Sequence, residues 1–357
     1  MEKMSLLALE KPQMLTEGDG GSYASWNTTV FPYLGTAKVS GGFLTLKPRG
    51  FAFPHYADCN KIGYVIQGTN GVAGIVAPQC EEEKVMKLQK GEAIFVHKGE
   101  ASWWYNAGND DLKIIFLGET QNATTPGEFT YCLFAGVIGV LKGFSTKTIT
   151  KAYDITELQA NELLNSQKQP LITSLDEAKT MPKHSDYQNF TFNFDKSSPD
   201  IDVKKGGSVN LLTCRKYPSL EGIELSGKLL KLEPNAMFGP TYYAEDSGVE
   251  LTYVIKGSGW VQVVGMNGQI ALDTQLEAGQ LFAVPKLNVV AIGAGEEGIE
   301  CFSIVTTSSP ILGELAGNKS IWKALSHQVL QASLDVSPEL SKLFIENISK
   351  TSIITPP

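Results

Sequence analysis

Three residues of types that can move or hold a proton stand out in the first half of the chain: His55, Lys61 and Tyr131. His55 and Lys61 are six residues apart, and Tyr131 follows the last apolar segment of that half. A histidine, with an ordinary pKa of about 6.5, suits the role of a base. Lysine and tyrosine are donors that can stabilise a developing oxyanion. These types would suit proton transfer beside a carbonyl oxygen, without a cofactor.

The elements that must position these residues occur twice. Residues 61–68 (KIGYVIQG) match residues 250–257 (ELTYVIKG), and residues 90–96 match residues 278–284. Each copy is a set of short alternating apolar segments that end in glycine, which is typical of strands joined by turns. A repeat of this length predicts two duplicated β domains.

A helical arm is expected after each set of strands, at about residues 150–166 and 321–346. Thr156 and Ser337 are candidate N-caps, and Pro338 stands at the favoured first helical position. The sequence therefore predicts a mainly β protein with a first domain at residues 1–174, a linker with a lead-in strand at 175–205, and a second domain at 206–357.

Two segments carry a resemblance to a known family. Residues 91–106 resemble the second signature of the cupins, and residues 54–56 with 61–68 resemble the first. The two-barrel layout with helical arms resembles the 11S globulins (legumins) over nearly the whole chain. The resemblance implies two tandem double-stranded β-helix (jelly-roll) barrels that assemble through their arms into a homo-oligomer, a trimer or hexamer. The apolar positions that suit such a contact are Ile321, Trp322, Leu325, Val329, Leu330, Leu340, Leu343 and Phe344.

Catalytic cupins hold a transition metal with three histidines and a glutamate, ligands that suit such ions. Aligned on the family, only Glu250 keeps a ligand type, so no metal and no cofactor are expected. The aligned positions are Pro54, Tyr56, Lys61 and Ser102 in the first barrel, and Tyr243, Glu245, Glu250 and Val290 in the second.

His55, Lys61 and Tyr131 match in type, order and spacing the catalytic set of the plant (3Z):(2E)-hexenal isomerases, which are cytosolic bicupins. That resemblance implies isomerisation of (3Z)-hexenal, or a similar 3Z-enal, to the 2E-enal through a dienolate. His55 would shuttle the proton, and Lys61 and Tyr131 would hold the carbonyl oxygen. In a covalent variant, a neutral Lys61 would form a Schiff base with the aldehyde.

Two other classes of function stay open at this stage. The chain could be a non-enzymatic, storage-like or small-ligand-binding bicupin in which the match of three residues is incidental. It could also be a metal-dependent cupin enzyme. Each residue also has a plain structural interpretation: His55 as a strand-end residue, Lys61 as a lysine that reaches solvent from an edge strand, and Tyr131 as an aromatic lid.

The composition limits the partners. The chain of 357 residues has a formal charge of -8 and no basic patch with interleaved aromatic residues, which argues against nucleic acid. No segment reaches the roughly 18 apolar residues of a membrane span. The five scattered cysteines and the absence of an apparent signal peptide lead us to expect a cytoplasmic protein with reduced thiols.

Overall fold

The structure is a computed structural model that describes residues 7–9, 11–182, 190–244, 248–350 and 352–357. It is mainly β and divides into two compact units. The first unit is Pro12–Asp195, and the second is Lys196–Pro357 together with the short strand β1 (Ala8–Leu9). The prediction of two tandem β barrels is confirmed.

The first unit consists of two antiparallel sheets that face each other. The seven-stranded sheet has the order β14-β9-β6-β11-β4-β3-β2, and the other has the order β12-β5-β10-β7-β8, with β13 also on β5. The strands are β2 (Gln13–Gly18), β3 (Gly21–Ser25), β4 (Val39–Leu46), β5 (Gly50–Ala57), β6 (Asn60–Gln67), β7 (Gly71–Val76), β8 (Lys84–Leu88), β9 (Glu92–Val96), β10 (Ala101–Asn106), β11 (Leu112–Glu119), β12 (Tyr131–Leu133), β13 (Ile172–Ser174) and β14 (Thr191–Asn193).

The second unit contains one sheet of eleven strands, built on the order β1-β21-β19-β22-β17-β16-β15. Strand β18 pairs with β22, β23 and β24, and β20 pairs with β19. The strands that follow β14 are β15 (Ile201–Val203), β16 (Gly207–Leu212), β17 (Ser226–Leu232), β18 (Met237–Ala244), β19 (Glu250–Val264), β20 (Ile270–Glu277), β21 (Leu281–Val284), β22 (Val289–Val305), β23 (Ile311–Glu314) and β24 (Ile354–Thr355).

The helices lie mostly in the two arms. Within the described ranges, no helix is both long and apolar enough to cross a bilayer. The helices are α1 (Tyr33–Ala37), α2 (Thr146–Tyr153), α3 (Glu157–Asn165), α4 (Ile321–Ala324), α5 (His327–Leu334) and α6 (Pro338–Ile348), with 3-10 turns at Val140–Gly143 and Pro218–Leu220.

The predicted caps of the arms are confirmed. Thr156 accepts a hydrogen bond from the Gln159 amide at the start of α3, and Ser337 does the same for Leu340 at the start of α6. Each predicted long helix is broken, however. Asp154 ends α2 in a left-handed conformation, and Asp335 ends α5 in the same way, which stops the helix before the next cap.

The ends of the predicted domains need two corrections. Strand β1 was expected in the first barrel, but Ala8 pairs with Phe282 and therefore belongs to the second unit. Part of the predicted linker belongs to the first barrel, since β14 pairs with β9 through Thr191 and Ile94. Backbone hydrogen bonds to a sheet edge decide these positions, and an apolar pattern does not say which edge a short strand will join.

Between its two sheets the first barrel encloses an apolar core, and this core surrounds the three residues singled out above. Trp104 and Phe116 pack edge to face in it, with ring centroids 5.0 Å apart. Other buried members from both sheets are Leu44, Leu46, Ala52, Val65, Ile75, Met86, Ile94 and Ile114.

Candidate functional site

Three neighbouring strands bring His55, Lys61 and Tyr131 together. His55 lies near the end of β5, Lys61 lies near the start of β6, and a two-residue turn joins these strands. Tyr131 begins β12, which pairs with β5 so that Tyr131 lies opposite Ala57. The three side chains line one small cavity inside the first barrel.

This inner cavity has a volume of about 20 Å³, roughly the space of one water molecule. Its walls are apolar apart from the three residues and Tyr23. The lining residues are Tyr23, Leu44, Ala52, His55, Lys61, Trp104, Phe116, Tyr131 and Leu171.

His55 is buried and neutral. Its Nδ1 lies 2.7 Å from the carbonyl oxygen of Phe53. A carbonyl only accepts hydrogen bonds, so Nδ1 carries the proton and Nε2 is the acceptor. Burial, together with the charge of Lys61, lowers the pKa of His55 to about 3. The ring also packs edge-on against Tyr131 at a centroid distance of 5.3 Å.

Lys61 is a buried cation among aromatic rings, with 2% of its surface exposed. Its Nζ lies 4.6 Å from the ring centroid of Tyr131 and 5.4 Å from that of Phe116. No Asp or Glu in the described part of the chain comes within ion-pairing distance of it. Burial lowers the pKa of Lys61 to about 8, although Cys59 and Asp58 act in the opposite direction.

Tyr23 completes the cluster, and sequence reasoning missed it. Its hydroxyl forms a hydrogen bond with the hydroxyl of Tyr131. Burial of both hydroxyl groups raises the pKa of Tyr23 and of Tyr131, so both tyrosines are neutral donors at physiological pH. Tyr23 lies on β3, a strand that carries no motif, so no signal in the sequence pointed to it.

An open depression of about 640 Å³ lies on the outer side of the tyrosine pair. It shares Tyr23, Tyr131 and Leu171 with the inner cavity, so these three side chains separate the two spaces. Its walls are largely apolar: they include Leu15, Leu133, Val137, Ile138 and Pro170.

The second barrel holds a different polar cluster. Lys228 and Glu250 form a buried ion pair, and each has only 2% of its side chain exposed. Burial acts to lower the pKa of Lys228, but Glu250 and then Tyr243 outweigh it and raise the pKa above its ordinary value. Thr252 adds a hydrogen bond of 3.2 Å to Glu250 Oε1. Of the positions aligned in this barrel, Glu245 lies outside the described residues.

The predicted alignment of the metal positions on β5 is wrong by one residue. The side chain of Tyr56 is 36% exposed and packs on Phe134, whereas His55 points into the barrel opposite Ser102. Side chains alternate along a strand, so a shift of one residue exchanges the two faces. Among the residues that the structure describes, no three His, Cys, Asp or Glu side chains are grouped as a metal site would require.

Chemically, the first site offers one neutral acceptor, His55 Nε2, one ammonium group and a pair of phenol hydroxyls that are hydrogen-bonded to each other, in an apolar wall. Such an arrangement can bind an oxygen-bearing group of a small, mainly apolar molecule. In the second site, Glu250 already balances the positive charge of Lys228.

Comparison with known proteins places the chain in a class. The family model described as Cupin matches residues 7–161 and 192–342. This chain therefore belongs to the cupin family, with a cupin match in each of its two halves.

The named relatives are seed proteins and 11S globulins. The 11S globulin seed storage protein 2 of Sesamum indicum is 22% identical over 97% of this chain and 90% of its own length. The crystal structure of pumpkin seed globulin has a TM-score of 0.91, at 23% identity, over 100% of this chain and 99% of that one. The structure of an 11S globulin from Wrightia tinctoria, which reveals an auxin binding site in that protein, has a TM-score of 0.86 at 19% identity, over 98% and 94%.

These comparisons contradict the prediction that the protein is an isomerase. The relatives that cover almost the whole chain are storage globulins, which are not enzymes. The structure does place the side chains of His55, Lys61 and Tyr131 around one cavity. A match of three residue types nevertheless does not define an activity, because a buried polar cluster can also bind a ligand or stabilise a barrel.

Proposed function

We propose that this protein is a non-enzymatic, storage-like bicupin whose first barrel binds a small, mainly apolar organic molecule through an oxygen-bearing group. The observation that carries the proposal is the polar cluster of His55, Lys61 and Tyr131 in an apolar wall, where the Lys61 ammonium has no acidic partner among the described residues. Buried polar groups are normally paired within the protein, so a cluster that faces a cavity with its charge unbalanced is suited to a ligand.

The spaces on the two sides of the tyrosine pair support this function. The outer depression of about 640 Å³ is within the usual size range of small-molecule sites, and its wall is apolar. The inner cavity is far smaller, so the bulk of a ligand would lie in the depression with only its polar group toward Lys61. The 11S globulin from Wrightia tinctoria, with its auxin binding site, is a small-molecule binder of the same fold.

A neutral fluorescent probe, 1-aminoanthracene, tests the binding function. We expect one probe per chain to bind the wild-type protein and Leu171→Trp to abolish binding, because Leu171 lines both spaces. Tyr243→Phe, in the second barrel, is the matched control and should bind normally. Absence of binding by the wild-type protein, or equal binding by Leu171→Trp, would contradict the proposal.

A product analysis tests the non-enzymatic part separately. Purified protein is mixed with (3Z)-hexenal, and the products are measured by gas chromatography. We expect no more (2E)-hexenal than in buffer. Faster formation that is lost in folded His55→Ala would overturn the non-enzymatic assignment while leaving the binding site in place.

The proposal includes self-association through the arms. Helices α5 and α6 expose apolar side chains, among them Val329, Leu340 and Leu343, which are 46%, 52% and 50% exposed. Apolar helix surfaces of this kind suit contacts between copies of one chain.

The cytoplasmic location expected from the sequence stays a prediction.

A further inference from the structure

The two barrels carry different residues at equivalent strand positions. In the first barrel, Lys61 on β6 lies opposite Gly118 on β11, and Gly118 lies opposite Ser40 on β4. In the second barrel, Glu250 on β19 lies opposite Val305 on β22, and Val305 lies opposite Ser226 on β17. Lys61 and Glu250 therefore occupy equivalent positions, as the repeated sequence around them indicates.

Two residues further along the same strands, Gly42 of the first barrel is equivalent to Lys228 of the second. In the first barrel, Phe116 on β11 lies opposite both Gly63 on β6 and Gly42 on β4. In the second, Ser303 on β22 lies opposite both Thr252 on β19 and Lys228 on β17. The second barrel thus has an acid and a base at these two positions. The first has a base and a glycine, so the internal counter-charge is missing.

A buried cation without a counter-charge is costly, because the low-dielectric interior replaces water around it. Glu250 removes this cost for Lys228. Around Lys61 the groups that could titrate or carry charge are His55 on β5, Asp58 and Cys59 in the turn, Tyr23 on β3 and Tyr131 on β12. His55 is neutral, and Asp58 accepts hydrogen bonds from the backbone amides of Thr124 and Thr130 rather than pairing with Lys61.

We propose that the first barrel binds small monocarboxylates with an apolar body, and that the carboxylate supplies the counter-charge of Lys61. This inference rests on the proposed binding function and names its ligand class. The apolar body lies in the outer depression, against Leu133, Val137 and Ile138. Tyr23 and Tyr131 line the same inner cavity as Lys61, and their neutral hydroxyls suit the carboxylate oxygens.

Binding of the carboxylate beside Lys61 requires the Tyr131 side chain to move, since the inner cavity alone has room for about one water. Tyr131 is the first residue of β12, a strand of three residues at the edge of its sheet. In the complex, a carboxylate oxygen replaces the Tyr23 hydroxyl as the partner of Tyr131.

The pH dependence of binding follows from the lysine. Burial holds the pKa of Lys61 at about 8, so the ammonium form dominates at pH 7 and is scarce at pH 9.5. A carboxylate binds the ammonium form, so its affinity should fall by about tenfold or more between these values. An alcohol with the same apolar body has no charge to pair with Lys61, so its affinity should be the same at pH 7 and pH 9.5.

Isothermal titration with octanoate and 1-octanol tests the inference on the wild-type protein and on Lys61→Met, which keeps an unbranched side chain. We expect octanoate to bind the wild-type protein at pH 7, to weaken by about tenfold or more at pH 9.5, and to weaken at least as much in Lys61→Met. The affinity for 1-octanol should stay within about threefold throughout. Tyr243→Phe is the control variant and should behave like the wild-type protein.

The remaining outcomes separate this inference from the function on which it rests. Equal binding of octanoate and octanol, without pH dependence, overturns the carboxylate class and leaves the apolar binding site. Wild-type affinity for octanoate in Lys61→Met also overturns it, because the carboxylate would then lie elsewhere. Failure of both compounds to bind the wild-type protein counts against the binding function itself.

Discussion

The hydroxyl of Tyr23 occupies the space in which a side chain on Gly42 would lie. A Cβ built on Gly42 would be 1.8 Å from that oxygen and 2.6 Å from the ring carbon that bears it. The equivalent position in the second barrel holds Lys228, so the missing side chain of one barrel is what gives the first site its second tyrosine. The candidate site therefore depends on the absence of a side chain at position 42, because Tyr23 fills that space.

The variant Gly42→Ala should displace Tyr23 and break its hydrogen bond to Tyr131. Overpacking of this kind typically costs about 1–3 kcal/mol, and we expect that loss in the free energy of unfolding by urea. Gly143→Ala is the control, since a Cβ there meets nothing within 4 Å. In a Tyr23→Leu background the cost of Gly42→Ala should shrink. An unchanged cost would mean that the clash is not with Tyr23.

The variant Lys61→Met should stabilise the ligand-free protein at pH 7. The pKa of Lys61 is about 8 in the folded state and 10.5 as an ordinary value, so the unfolded chain holds the proton more tightly. Charging the buried lysine therefore costs up to about 3 kcal/mol below pH 8, and this cost fades as the pH rises toward 10.5. Urea unfolding at pH 7 and pH 10 measures it. A gain that is equal at both values would point to packing rather than charge.

The variant Lys228→Met should have the opposite effect. It leaves Glu250 buried without its partner, which typically costs about 3–5 kcal/mol. The double variant Lys228→Met with Glu250→Met removes both charges and should recover most of that stability. The free energies of unfolding by urea of the single and the double variant are measured at pH 7 and pH 10, as for Lys61→Met, and compared. Stabilisation by Lys228→Met alone would contradict the ion pair as described.

His55 should stay neutral far below the pH at which an ordinary histidine gains its proton. Burial and Lys61 lower its pKa to about 3, so its ring resonances should not shift between pH 8 and pH 5. The pKa of His55 is lower in the folded state than in the unfolded state, so the neutral ring favours the folded protein. This contribution of His55 to stability is complete above about pH 6.5 and is lost as the pH falls toward 3. NMR spectra with His55→Gln for assignment test this. An inflection of the His55 signal at about 6.5 would contradict the buried site.

Self-association should depend on the apolar surface of α6. We expect the wild-type protein to sediment with a mass three or six times that of the 38.7 kDa chain. Leu343→Glu places a charge on an exposed apolar position and should yield monomers. Lys342→Glu, at the neighbouring exposed position on the same helix, should leave the assembly intact. A monomeric wild-type protein would end this proposal.

Much of the fold could be predicted from the sequence because the information is local and periodic. The alternating apolar segments at 61–68 and 250–257 specified equivalent strands, and their repetition specified two barrels. The caps at Thr156 and Ser337 follow from side-chain hydrogen bonds that reach only three residues along the chain. His55, Lys61 and Tyr131 were also singled out, because their types, order and spacing resemble a set of residues known in other bicupins.

Tertiary structure alone decided the rest, because it depends on contacts between residues far apart in sequence. The pairing of Tyr23 with Tyr131 joins residues 108 positions apart, and the register of β5 decided that His55 rather than Tyr56 faces inward. The pairing of Lys228 with Glu250 gives the second barrel its own counter-charge, while Lys61 has none among the described residues. The three-residue pattern suggested a catalyst, but only the balance of charge in the folded barrels indicates what the first one is suited to bind.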